Sequence, residues 1–86
     1  MKIGIAGSLE SNDCLITVYE QKGREIKVES IVYEQFGEAI YQVIEAVLDE
    51  LKIDDIFVSV NDKGALDYTI KARFKTALKR LGENGA

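Results

Sequence analysis

Apolar residues in this chain recur at two different spacings, and the combination leaves few folds open. Lys2-Ile3-Gly4-Ile5-Ala6, Ile16-Thr17-Val18-Tyr19-Glu20 and Glu25-Ile26-Lys27-Val28-Glu29 alternate at period two, and Ile56-Phe57-Val58-Ser59-Val60 reads as a fourth strand. From about Val32 to Leu51 the spacing changes to three and four, through Phe36, Ile40, Val43, Ile44, Val47, Leu48 and Leu51. Leu66, Ile70, Phe74, Ala77, Leu78 and Leu81 repeat that stripe. Each helical stripe is one apolar face that must be covered.

The order is therefore β-β-β-α-β-α. Gln21-Lys22-Gly23-Arg24 is short and contains glycine, so strands two and three are expected to form a hairpin. The expected fold class is α+β, a two-layer sandwich with a mostly antiparallel four-stranded sheet and two helices on one face. Ser30 is the candidate N-cap of the first helix, without a capping box because Tyr33 stands three residues on. Gly37 weakens the opening turns by about 1 kcal/mol relative to alanine, so the regular helix is expected from Phe36 to Leu51, carrying most of the core. Asn61-Asp62-Lys63-Gly64 closes the fourth strand as a turn. The second helix is expected over residues 67–81, with Asp67 as N-cap and Gly82 as stop; Tyr68-Thr69-Ile70 alternatively extends as strand.

Eighty-six residues form one domain, 1–86, near the size at which folding buries only about 60–65% of the unfolded surface. A hydrophobic fraction of 47% with 30% charged residues is that of a globular chain. Cys14 is the single cysteine and there is no histidine, which removes an internal disulfide and the usual soft metal sites. No apolar run approaches the roughly 20 residues that span a bilayer, and the N-terminus lacks a signal-peptide layout. A cytoplasmic protein without membrane function is expected.

The net charge of −4 is unevenly spread: residues 1–62 carry 5 Lys+Arg against 13 Asp+Glu, and residues 63–86 carry 6 against 2. Lys71, Arg73, Lys75, Lys79 and Arg80 admit a nucleic-acid patch in principle. They fall between the apolar positions of the second helix, where cations are ordinarily solvated, and the acidic remainder repels phosphate. No nucleic-acid partner is expected.

Gly7-Ser8-Leu9-Glu10-Ser11-Asn12-Asp13 places hydroxyls on a short polar segment between two strands. A turn on a rigid scaffold can present a serine to another enzyme, and it can equally be an ordinary turn built on Asn12 and Asp13. A serine nucleophile needs a neighbouring base, and the histidine that usually serves is missing. Glu10 and Asp13 flank Ser11 as they would in any exposed turn. Cys14 reads as a small buried residue at the head of strand two. No catalytic residue is assigned.

The segment Gly7–Asp13 resembles the Gly-Thr-Leu-Glu-Ser-Ser-Asp signature of the acyl carrier (gamma) subunit of bacterial citrate lyase. Glu34-Gln35-Phe36-Gly37-Glu38-Ala39-Ile40, and Asp62-Lys63-Gly64-Ala65-Leu66-Asp67 running on to Ala72-Arg73, resemble the same family in the same order. The resemblance spans most of the chain and implies that Ser11, the first serine after Leu-Glu, is the cofactor-binding residue. Its oxygen would form a phosphodiester to 2′-(5″-phosphoribosyl)-3′-dephospho-CoA, whose thiol carries the acyl group. Ser8 stands where the family usually has Thr and is a second candidate, and Asn12 replaces the family's second serine.

The implied partners are the alpha (acyl transferase) and beta (acyl lyase) subunits and the transferase that attaches the cofactor. The large subunits exchange acetyl for citryl on the carrier thiol and cleave citrate to acetate and oxaloacetate; the carrier has no catalytic activity alone. The related citramalate lyase uses the same kind of carrier, and an unmodified interaction or regulatory module of the same fold is the alternative. The basic helix and the Asp62-Lys63-Gly64 turn are expected to serve docking or to pack beneath the serine loop.

Overall fold

The computed structural model describes residues 2–83. Four strands, β1 (Ile3–Gly7), β2 (Cys14–Tyr19), β3 (Arg24–Ser30) and β4 (Ile56–Asp62), and two helices, α1 (Tyr33–Leu51) and α2 (Asp67–Glu83), follow in the expected order. The sheet runs β1-β2-β4-β3. β1 with β2 and β2 with β4 are antiparallel, whereas β3 lies parallel to β4.

The sheet is thus mixed rather than mostly antiparallel, and β2 and β3 form no hairpin. Two physical reasons displace that expectation. A helix as long as α1, between β3 and β4, is a crossover that lets the two strands run parallel. β4 is buried at every second residue from Ile56 to Asp62 and takes the centre, while β3, with Glu25, Lys27 and Glu29 exposed, suits an edge where charge discourages pairing with other chains. Residues 20–23 carry the chain past the end of β4: Gly23, at φ +84°, donates its N–H to Asp55 (2.8 Å), and its carbonyl accepts from the Ile56 N–H (3.0 Å).

One sheet face is covered by both helices. Ile16 and Val18 from β2, Val58 and Val60 from β4, Ile44 and Leu48 from α1, and Ile70 and Phe74 from α2 are fully buried there. The helices share the core, which corrects the expectation that α1 carries most of it. Three ends of the expected stripes lie outside: Phe36 is 54%, Leu51 47% and Leu66 59% exposed.

β1 inverts the expected alternation. Ile3 and Ile5 point to the open face, and Gly4 and Ala6 point inward. The cause is the approach of α2, since a Cβ at Gly4 would fall on the Ala77 carbonyl oxygen and crowd the backbone of Leu81. Only the smallest residues fit beneath the helix. Arg80 adds a hydrogen bond to the Ile5 carbonyl (2.7 Å).

The helix ends also depart from expectation. α1 starts at Tyr33, and Ser30 is the last residue of β3, its hydroxyl accepting from the Val32 N–H (3.1 Å) and donating to Asp62 (2.7 Å). Gly37 is accommodated because the Tyr33 ring covers the place where a Cβ would stand. α2 begins at Asp67 with the Leu66 carbonyl accepting from Thr69 and Ile70, and it runs through Gly82. Tyr68-Thr69-Ile70 is helical. At the other end of the molecule, Arg24 ties β3 to α1 through Glu45 (2.6 Å) and Asp49 (2.9 Å), and to the Ile53 carbonyl (2.7 Å).

Two glycines should respond in opposite directions. Gly4→Ala is expected to destabilise by about 1–3 kcal/mol by wedging α2 off β1, while Gly82→Ala, with open space around its Cβ position, should stabilise by up to about 1 kcal/mol. Urea unfolding followed by circular dichroism checks both.

Candidate functional site

The connection from β1 to β2 is closed by backbone geometry that particular residues supply. Gly7 has φ +94°, and a Cβ there would fall on the Cys14 carbonyl oxygen. The Ser8 N–H donates to that same carbonyl (3.1 Å), and the Asp13 N–H to the Glu10 carbonyl (3.2 Å). Asn12 takes the left-handed conformation at φ 67°, which asparagine tolerates better than most residues.

The loop rests on the turn that follows β4. Asn12 N–H donates to the Lys63 carbonyl (2.8 Å), and Lys63 N–H donates to the Asp13 carbonyl (2.9 Å). These bonds extend the β2–β4 pairing past its last pair, Cys14 opposite Asp62. Asp62 itself is buried, accepting from the Ser30 hydroxyl and from the Ala65 N–H (2.9 Å), so a carboxylate shapes the turn that supports the loop. The expected packing of the Asp62-Lys63-Gly64 turn beneath the serine loop is therefore observed.

Asp13 organises the loop from within. Its carboxylate accepts from the Ser8 hydroxyl (2.8 Å), from the Cys14 N–H (2.7 Å), and from Arg73 Nε and Nη2 (3.0 and 3.1 Å). The Arg73 guanidinium first, then the Ser8 hydroxyl and the Cys14 N–H, pull its pKa down from 3.8 to about 2. Arg73 is on α2, so this fork couples the loop to the second helix. Of the basic helix, Lys71, Arg73, Lys75, Lys79 and Arg80 are all exposed as expected, but Arg73 and Arg80 hold β1 and its loop in place.

The two serines of the loop differ sharply. Ser8 both donates to Asp13 and accepts from the Glu10 N–H (3.3 Å). Ser11 is exposed at the loop tip, and its hydroxyl has no hydrogen-bond partner among the described residues. Cys14 is buried, and its burial, with the Asp13 and Asp62 charges, pushes its thiol up to about 11. That thiol is structural, as its place at the head of β2 suggested.

Sequence reasoning alone did not find the Asp13–Arg73 pair, which joins residues 60 positions apart. The signal lay in Ala72-Arg73, whose resemblance to the family carried no indication of what the arginine holds. No helix among the described residues is long and apolar enough to cross a membrane.

Because the folded pKa of Asp13 lies below its unfolded value, the fork stabilises the protein above about pH 4 and is lost as pH falls toward 2. Arg73→Met should raise the Asp13 pKa toward 3.8 and flatten that acid dependence. A ¹³C carboxyl titration of Asp13 in both proteins checks it; an unchanged midpoint in the variant would contradict the assignment.

Comparison with known proteins accords with this architecture. Residues 1–81 match the family described as malonate decarboxylase delta subunit (MdcD). The chain is 42% identical over 79 residues to the citrate lyase acyl carrier protein of Treponema denticola, covering 92% of this chain and 91% of that one. It is 49% identical over 80 residues to the citrate lyase acyl carrier protein of Lacticaseibacillus casei, covering 92% and 79%. In the crystal structure of a Pseudomonas malonate decarboxylase hetero-tetramer in complex with malonate, one chain shares the fold, with a TM-score of 0.72 at 17% identity over 98% of this chain and 84% of that one. The chain belongs to this family of acyl carrier subunits, on the side of the citrate lyase acyl carrier proteins.

Proposed function

We propose that Ser11 is the attachment residue and that this single carrier domain, 1–86, bears 2′-(5″-phosphoribosyl)-3′-dephospho-CoA through a phosphodiester on its oxygen. One contrast carries the reading: the Ser11 side chain is exposed and its hydroxyl has no hydrogen-bond partner among the described residues, while the Ser8 hydroxyl is held by Asp13. The surroundings fit such a group. Arg73 neutralises Asp13, so the loop accepts a further anionic phosphodiester with little repulsion beyond that of Glu10.

Bound there, the group supplies a thiol on a long arm that holds acyl groups as thioesters. The residues of this chain present and position it. Backbone bonds from Asn12 and Lys63 hold the loop against the sheet, so Ser11 stands out from a fixed base. A tether of this kind gives effective concentrations of order millimolar at each partner site, which makes transfer between sites in effect intramolecular.

The partners in this reading are the alpha acyl transferase and beta acyl lyase subunits of citrate lyase, which together convert citrate to acetate and oxaloacetate, and the transferase that attaches the group. The carrier itself makes and breaks no bond in that reaction. The cytoplasm suits a chain with one unpaired cysteine. The carrier of a citramalate lyase is the alternative, with the same site and mechanism.

Co-expression with the attaching transferase and its triphosphoribosyl-dephospho-CoA substrate, followed by intact mass, tests the proposal. Wild type should gain the mass of the group and Ser11→Ala should gain nothing, with stability changed by less than about 0.5 kcal/mol. Ser8→Ala should still be loaded, although it loses about 1 kcal/mol with its hydrogen bond to Asp13. A loaded Ser11→Ala variant would contradict the assignment, and a wild type that never gains mass would make the chain an unmodified module.

A further inference from the structure

A groove of about 670 Å³ opens between the N-terminal halves of α1 and α2, lined chiefly by Val32, Phe36, Ile40, Ala65, Leu66 and Tyr68. Three of these are large and solvent-exposed: Phe36 at 54%, Leu66 at 59% and Tyr68 at 72%. Apolar side chains gathered around one depression mark a binding surface more than scattered exposure does. Asp62 and Asp67 also line the groove, and no lysine or arginine does.

The groove adjoins the serine loop. Gly64 belongs to its lining, and the Lys63 carbonyl just before it accepts the Asn12 N–H. Through that bond the Cα atoms of Ser11 and Gly64 stand no more than about 10 Å apart. A Cβ at Gly64 would lie 3.6 Å from Asn12 Oδ1 and 3.9 Å from Ile31 Cδ1, so Gly64 adjoins the serine loop as well as the groove.

The geometry points to this groove as the resting site of the uncharged, amide-containing part of the arm carried on Ser11. This rests on the carrier reading above. An apolar lining with two carboxylates and no cation disfavours the phosphoribosyl end and suits a neutral chain whose amide N–H groups can meet Asp67. Affinity need only be millimolar, because the tether supplies a local concentration of that order. The same weakness lets the arm leave for a partner subunit, while the groove shields its acyl-bearing end from water in between.

The full chain, bare and loaded, provides the test. Loading should shift the amide ¹H–¹⁵N resonances of Phe36, Leu66 and Tyr68 as well as those of residues 8–13. Alkylation of the arm thiol by iodoacetamide at pH 8 should be roughly twofold faster in loaded Leu66→Asp than in loaded wild type, in proportion to the freed fraction when affinity and local concentration are of the same order. Cys14 stays silent in that assay, since its thiol is buried. Shifts confined to residues 8–13 and 63, with equal alkylation rates, overturn the groove and leave the carrier reading intact. Groove shifts that arise in the bare chain on adding the alpha and beta subunits, and not on loading, assign it to protein docking and also overturn it. A chain that never gains the mass fails both readings.

Discussion

The carboxylate of Asp13 is the point on which the serine-loop end of this molecule turns. It accepts from a serine hydroxyl, a backbone N–H and both arms of an arginine fork, and those donors come from the loop, the head of β2 and α2. A loop this short has little packing of its own, so without such a centre it would sample many conformations. Charge-assisted bonds to one acceptor fix it at low cost in buried area. Asp62 has the corresponding role beneath it, where it ties the end of β3 to the turn that supports the loop.

This arrangement also sorts the two serines. A hydroxyl committed to a carboxylate is oriented and shielded, as at Ser8; the one at the tip of the pinned loop, Ser11, is open to solvent. The helices cover one face of the sheet, and the loop leaves from an end of it, so a bulky addition at Ser11 disturbs no packed surface. On the proposed reading, carrier function on this scaffold is a property of one loop grafted to a sandwich, with chemistry supplied by the attached group and the partners.

Much of the fold was legible because it rests on periodicity. The six elements, their order and the inward faces of β2, β3 and β4 follow from spacings of two and of three to four. What escaped was non-local. The parallel placement of β3 against β4 depends on a crossover, and a short glycine-containing link such as Gln21–Arg24 looks the same whether it closes a hairpin or passes the end of a third strand. The inversion of β1 depends on how closely α2 lies on Gly4, which no local pattern records. At the site, the exposed position of Ser11 followed from turn chemistry, whereas the Asp13–Arg73 fork spans too much sequence to be read from spacing.

The central claim is that the free hydroxyl of Ser11, and not the engaged hydroxyl of Ser8, bears the covalent group. Fragmentation mass spectrometry of the loaded wild-type chain, with the cleavages between Ser8 and Asp13 resolved, addresses this most directly. Every fragment containing Ser11 is predicted to carry the added mass, and fragments ending at Glu10 are predicted to lack it. The added mass on a fragment that contains Ser8 and stops short of Ser11 would contradict the claim.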